Sequence, residues 1–175
     1  MTIDLTQTII LSERLMIVPI SLEFTQDIFE NFTPEITTYM FPKANETIED
    51  TKNFINSVIP TIKKNEEFVV VILHKDTDEF LGVGGIHRIH TSTPELGIWI
   101  KKNAHGNKYG REAVTALKKW ADEHIKYEYL VYPVDKRNTS SRKIAESLGA
   151  KAEKEYTKEN MSGDILQEVE YRIYK

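Results

Sequence analysis

Between Glu67 and Lys101 the chain carries three extended, largely apolar segments separated by short polar stretches, and this block demands a sheet. Glu67 to His74 (EFVVVILH) is a near-continuous apolar run of strand length, the pattern of a strand covered on both faces. Asp76 to Glu79 supplies turn chemistry, and Phe80 to His90 follows as a second strand, so the two make a hairpin. Gly82, Gly84 and Gly85 inside that second strand predict a bulge or the close approach of another backbone. Pro94 to Lys101 (PELGIWIK) is the third strand.

Helices and further strands surround the block. Ser12 to Ile20 alternates polar and apolar residues and reads as a first strand. Phe24, Ile28, Phe29 and Phe32 have helical spacing, and Pro34 to Met40 makes another short helix. Thr47 caps a longer helix with Asp50 as a capping-box partner, and Pro60 should kink or shorten it. A helix from about Arg111 to Ile125 and a strand from Tyr129 to Val134 follow. Asn138 caps a helix that ends at Leu148, with Gly149 as its C′ residue. Strands at about Ala152 to Thr157 and Ile165 to Tyr174 flank a turn at Asn160 to Asp164. The order predicts one domain over residues 1–175, of mixed α/β (α+β) class. Its central sheet is mainly antiparallel, of about seven strands, and flanked by helices.

Composition narrows the chemistry. The chain has no cysteine, which excludes disulfides, thiolate catalysis and cysteine-ligated zinc. A formal net charge of −4 argues against general nucleic-acid binding. The start lacks the basic and apolar regions of a secretory signal, and no apolar run approaches the roughly 18 residues of a membrane span. The expected compartment is the cytoplasm, with no membrane or nucleic-acid partner. His87 and His90 are too few for a metal site, so no metal is expected.

The most informative chemistry lies in ELGIWIKKNAHGNKYGREAV, Glu95 to Val114, where a strand feeds a loop that opens a helix. Exposed N–H groups at a helix start favour an anion, and glycines such as Gly106 and Gly110 let phosphate oxygens approach the backbone. The segment lacks the lysine-serine/threonine ending of a P-loop and the Gly-x-Gly-x-x-Gly of a dinucleotide fold. On spacing alone, an ordinary strand-to-helix turn explains it equally well.

Four pieces together, SERLMIVPIS, PELGIWI, HGNKYGREAV and RNTSSRKIAESLGA, resemble the GCN5-related N-acetyltransferase (GNAT) superfamily. They look most like its ribosomal-protein N-terminal acetyltransferase (RimJ/RimL) branch. The resemblance implies acetyl-CoA as cosubstrate and an amine acceptor, either a peptide N-terminus or a small molecule. It implies a monomer or homodimer. The family's pyrophosphate loop maps onto His105, Gly106, Asn107, Lys108, Tyr109 and Gly110, with Arg111 following. His105 stands where the family has Gln or Arg, and Lys108 where it has a glycine. The family's splayed strand, whose free backbone groups pair with the pantetheine arm, maps onto Ile98, Trp99 and Ile100. Its Asn-x-x-Ser arrangement maps onto Asn138 and Ser141. The helix tyrosine that some members use is Ala145 here, which leaves Ser141 as the donor to the departing thiolate.

The resemblance implies direct attack of an amine on the thioester. Glu95 is the base it points to, and a surface glutamate at a strand start is the plain reading. Ser141 is either the thiolate's partner or a helix-start hydrogen bond. Arg142 or Lys143 meets the 3′-phosphate of CoA, or is a solvated helix residue. Tyr39, Met40, Phe41 and His87 line the acceptor pocket, or pack a short helix and a strand. The alternative function is a catalytically idle acyl-CoA-binding module, suggested by Lys108 and the missing tyrosine.

Overall fold

Residues 68–73 are buried throughout, as the apolar run requires, and the strand they form lies inside a sheet of eight. The computed structural model describes residues 3–175. Its strands are β1 (Ile10–Leu11), β2 (Leu15–Pro19), β3 (Phe68–His74), β4 (Phe80–His87), β5 (Glu95–Ile100), β6 (Leu130–Asp135), β7 (Lys151–Glu159) and β8 (Ile165–Ile173). The helices are α1 (Thr25–Asn31), α2 (Pro34–Thr37), α3 (Ile48–Lys63), α4 (Tyr109–His124) and α5 (Thr139–Ser147). The sheet order is β1-β2-β3-β4-β5-β6-β8-β7, and every neighbouring pair is antiparallel except β5 and β6. The class is the expected mixed α/β. The strand beyond the expected seven is β1, whose two residues pair with Ile17 and Met16 and are too few to show an alternation.

Local sequence signals account for several element ends. Thr47 and Asp50 form a full capping box at α3: Asp50 N–H donates to the Thr47 hydroxyl at 3.2 Å, and Thr47 N–H donates to Asp50 at 2.9 Å. Pro60 does not end this helix, which continues to Lys63. The proline removes one N–H near the last turn, and burial of Ile62 beyond it in the core offsets the loss. Asn138 caps α5 by accepting from Ser141 N–H at 3.1 Å, and Gly149 takes a φ of 71° just past its end.

The sheet separates two helical layers. Gly84 faces Leu117 of α4, whose Cδ1 would lie 3.4 Å from an added Cβ. Val83 points to the opposite face, where its partner Trp99 meets the Phe32 ring at 5.0 Å, just after α1. The close approach expected from the β4 glycines is sharpest at Gly82, next to a register irregularity between β3 and β4. A Cβ there would fall 2.1 Å from the Trp99 carbonyl oxygen. Gly82→Ala is therefore expected to lower stability by about 1–3 kcal/mol, as overpacking does, measured by urea denaturation. An unchanged midpoint would mean that β5 yields freely.

Candidate active site

β5 and β6 run parallel but share a single ladder position, Glu95 with Val131. Val131 N–H donates to the Pro94 carbonyl at 2.8 Å, and the next donor on that edge of β6 would come from Pro133, which has no N–H. Beyond this point the strands part. Lys101 N–H donates to Leu81 on the β4 side. By the alternation of an antiparallel ladder, Trp99 and Gly97 also turn their backbone groups to β4. Ile98 and Ile100 turn theirs to the gap. This corrects the expectation for Trp99, whose main chain is committed to β4 and whose ring packs between Phe32 and Phe80.

The loop after β5 ends in a run of open amides. Among the described residues, no protein acceptor meets the N–H groups of residues 106–111, while Glu112 N–H begins the helical bonding to Lys108. Gly106 has a φ of 83° with open space around it, so its backbone, not packing, requires glycine. Lys108 takes a φ of 65°, the left-handed conformation that a glycine holds at least cost, and its side chain is exposed. At Gly110 a Cβ would lie 3.2 Å from Ile144 of α5, so this glycine lets α4 approach α5 closely.

A second-layer network holds this loop. Glu112 accepts from Ser12 Oγ at 2.7 Å, from Arg14 N–H at 2.7 Å and from Arg14 Nε at 2.8 Å. Arg14 also donates to the Asn107 carbonyl at 3.1 Å and stacks over the Tyr109 ring at 4.6 Å. Burial favours the neutral acid, but these donors together hold the Glu112 carboxyl below its ordinary range. His105 closes the opposite side, with Nε2 bonded at 2.7 Å to the Ile100 carbonyl in the gap.

A cleft of about 910 Å³ passes through the opening between β5 and β6. On the α4–α5 side it meets Asn138, Ser141 and Tyr132. The Tyr132 and Ser141 hydroxyls share a 2.9 Å hydrogen bond. Burial pushes the Tyr132 phenol up to about 12, with the Ser141 bond working the other way, so it stays protonated at neutral pH. On the α1–α2 side lie His87 and Glu95, opposite one another across the β4–β5 ladder. Glu95 accepts from Arg88 at 3.0 Å and remains partly exposed. His87 Nδ1 meets Glu67 at 2.5 Å, which leaves Nε2 over Gly97, 3.2 Å from where a Cβ would stand.

Farther along this face, Tyr39, Met40 and Phe41 line the cleft with Met161, whose N–H donates to the Phe41 carbonyl at 2.9 Å. Asp135 is buried, accepts from Arg137 Nε and from Gln167 N–H at 2.8 Å each, and is held low by these donors against the pull of burial. Glu168, opposite Asp135 on β8, is only 7% exposed, and its Oε2 has no hydrogen-bond partner among the described residues. Burial raises its carboxyl above the ordinary value, Asp135 and Glu95 add to this, and Lys158 opposes it.

A family model described as an acetyltransferase (GNAT) domain matches residues 14–151. The chain belongs to the GNAT acetyltransferase family. Solved GNAT structures share the fold. One is an acetyltransferase from Salmonella typhimurium that modifies the N-terminal serine of 50S ribosomal subunit protein L7/L12. It is 15% identical, with a TM-score of 0.84 over 96% of this chain and 99% of that one. RimL, a ribosomal L7/L12 alpha-N-protein acetyltransferase in complex with coenzyme A, is 14% identical, with a TM-score of 0.83 over 95% and 98%. A GNAT-family acetyltransferase from Bacillus anthracis is 20% identical, with a TM-score of 0.81 over 95% and 98%. No curated protein matches the chain by sequence.

Within the GNAT frame, the structure brings Ile98, Ile100, the 105–111 loop, Asn138 and Ser141 to the parting of β5 and β6. Arg142 is tied down by the Tyr171 hydroxyl at 3.1 Å and the Lys136 carbonyl at 3.4 Å, whereas Lys143 is exposed. Tyr132 and Glu168 escaped the sequence reading. A tyrosine inside an apolar strand needs a partner for its hydroxyl, and that was the available signal for Tyr132. Glu168 alternates with Val169, Tyr171 and Ile173 on β8 and so sits on the face away from them, where it lines the cleft with the 39–46 segment and Met161. Among the described residues no cluster of three or more His, Cys, Asp or Glu is placed to hold a metal, and no helix is long and apolar enough to cross a membrane.

The raised Glu168 carboxyl gives a prediction with a definite sign. A carboxyl whose folded pKa exceeds its unfolded one contributes stability at low pH and loses it as pH rises through the folded value. At neutral pH Glu168 therefore works against the fold. Glu168→Gln is expected to raise Tm at neutral pH, and the gain should fade as pH falls through the raised folded value and be lost by about pH 4, the ordinary carboxylate range. Thermal denaturation of both proteins across this range is the check; a lower Tm at neutral pH would contradict the assignment.

Proposed function

We propose that this acetyltransferase domain moves an acetyl group from acetyl-CoA directly to an amine. The observation that carries the reading is the conjunction of open amides at 106–111 with the main-chain groups of Ile98 and the N–H of Ile100, which turn to the gap between β5 and β6. In this reading the diphosphate sits on the amides of the loop and on the start of α4, where the helix dipole adds to the attraction. The pantetheine arm extends the sheet along Ile98 and Ile100, and the thioester reaches the opening beside Tyr132 and Ser141. The amine nitrogen attacks the carbonyl carbon from the α1–α2 side, the C–S bond breaks, and the products are the acetylated amine and the free thiol.

Tyr132 and Ser141 supply the proton side of that step. A phenol that stays protonated can donate to the Ser141 oxygen, and in that arrangement the serine O–H is free to face the departing sulfur. The amine's proton leaves through Glu95 or through His87, which Glu67 orients from the far nitrogen. The two features that suggested an idle binder lose weight. Lys108 holds the left-handed backbone of a formed loop, and Tyr132 places a phenol beside Ser141 although Ala145 occupies the helix position.

Saturating acetyl-CoA is expected to raise Tm. At about 100 times Kd, linkage gives about 2.7 kcal/mol, or roughly 5–10 °C for a domain of this size. Lys108→Gly should keep this shift, because main-chain amides do the gripping. Thiol release with a panel of amines tests the reaction. Tyr132→Phe and Ser141→Ala should each lower kcat by roughly 10²-fold with little change in KM for acetyl-CoA. Full-rate turnover in both variants would remove them from the mechanism, and comparison of Glu95→Gln with His87→Asn identifies the base. Absence of any Tm shift with acetyl-CoA would overturn the cofactor reading.

A further inference from the structure

Five carboxylates line the cleft, and four of them are engaged. Glu46 pairs with Lys43, Asp50 with the Thr47 cap, Glu95 with Arg88, and Asp135 with Arg137. Glu168 is the exception: its side chain makes no hydrogen bond and no ion pair among the described residues, although it is more than nine-tenths buried. Lys158, the nearest candidate on β7, instead places its ammonium over the Phe41 ring at 3.8 Å. Arg137 is held by Asp135 and lies over Tyr39. An uncompensated buried carboxylate is costly, and the protein offers it only the charge of Lys158, with no hydrogen bond or ion pair among the described residues.

The surroundings indicate what would compensate it. Tyr156 faces Glu168 across the β7–β8 ladder, and Glu95 lines the same cleft. The walls there are aromatic and apolar at Tyr39, Phe41, Tyr156 and Met161, with Lys158 over the Phe41 ring and Arg137 over the Tyr39 ring. Such a passage accepts a chain of methylene groups with a positive charge at each end.

We propose that Glu168 binds a second positive charge on the acceptor, so that the acceptor is a linear diamine or polyamine. This deepens the proposed amine acetylation and rests on it for the location of the reacting nitrogen. One amine stands at the opening beside Glu95 and His87 and loses its proton there. The other stays protonated and pairs with Glu168, while the methylene chain between them covers the aromatic wall.

The test uses the full chain, with spermidine, 1,4-diaminobutane, n-butylamine and a serine-initiated peptide of no other positive charge. Spermidine or the diamine should give a kcat/KM at least tenfold above n-butylamine and the peptide. Glu168→Gln should raise KM for the polyamines at least tenfold and leave kcat/KM for n-butylamine within about twofold. A separate Tm measurement without acetyl-CoA checks binding alone: spermidine should stabilise the wild type, n-butylamine should not, and the variant should lose the response while remaining folded. Equal use of n-butylamine and the polyamines, preference for the peptide, or an unchanged KM in Glu168→Gln would overturn the inference while acetyl transfer stands. If no amine releases thiol but spermidine still stabilises only the wild type, the cation subsite stands and the transfer reading fails. No spermidine-dependent Tm shift in the wild type would overturn the subsite itself.

Discussion

The site depends on a ladder that stops after one step. Central strands usually pair along their whole length, because an unpaired main-chain group inside a protein costs free energy. Here β5 and β6 meet at Glu95 and Val131 and then separate, because the residue that should donate next is Pro133. Proline is normally kept out of interior strands. In β6 its missing N–H faces the opening, while the other edge of the strand keeps a full register with β8 from Leu130 to Asp135. The proline thus breaks one edge without weakening the other, and it leaves Ile98 with donor and acceptor turned toward a gap.

A gap of this kind needs rigid sides, and the sequence supplies them from distant places. Glu112, in the first turn of α4, gathers Ser12 and Arg14 from the turn before β2, and Arg14 in turn holds the Asn107 carbonyl. The amides of the loop can then stay open without the loop collapsing onto itself. Gly110 brings α4 against α5, which sets Ser141 near Tyr132. The strained backbone at Lys108 fits the same picture, since a loop held by this network can carry one left-handed lysine.

Much of the scaffold was legible because its signals are local. Thr47 with Asp50, Asn138 with Ser141, and Gly149 each act within four residues, and each took its expected place. The strand-loop-helix from Glu95 to Val114 was readable for the same reason. What escaped depends on residues far apart in the chain. Pro60 looked set to kink or shorten its helix because its cost is local while the burial of Ile62 is tertiary. Trp99 looked like part of the open edge because the sequence does not show which residues of β5 face β4. Glu168 drew no attention because the segments that line the cleft with it lie more than a hundred residues upstream and in the turn just before β8.

The two faces of the sheet divide the chemistry that the cleft has to perform. The side of α4 and α5 carries open amides, a protonated phenol and a serine hydroxyl, all of them donors, and so suits an anionic carrier and a leaving thiolate. The side of α1 and α2 carries Glu95, His87 and Glu168, groups that accept protons or hold cations. Mixing the two sets in one pocket would let donors and carboxylates satisfy each other, and neither would remain available to a ligand. The sheet keeps them apart, and Pro133 opens the gap between β5 and β6 through which, in the proposed reaction, a thioester on one face would meet an amine on the other.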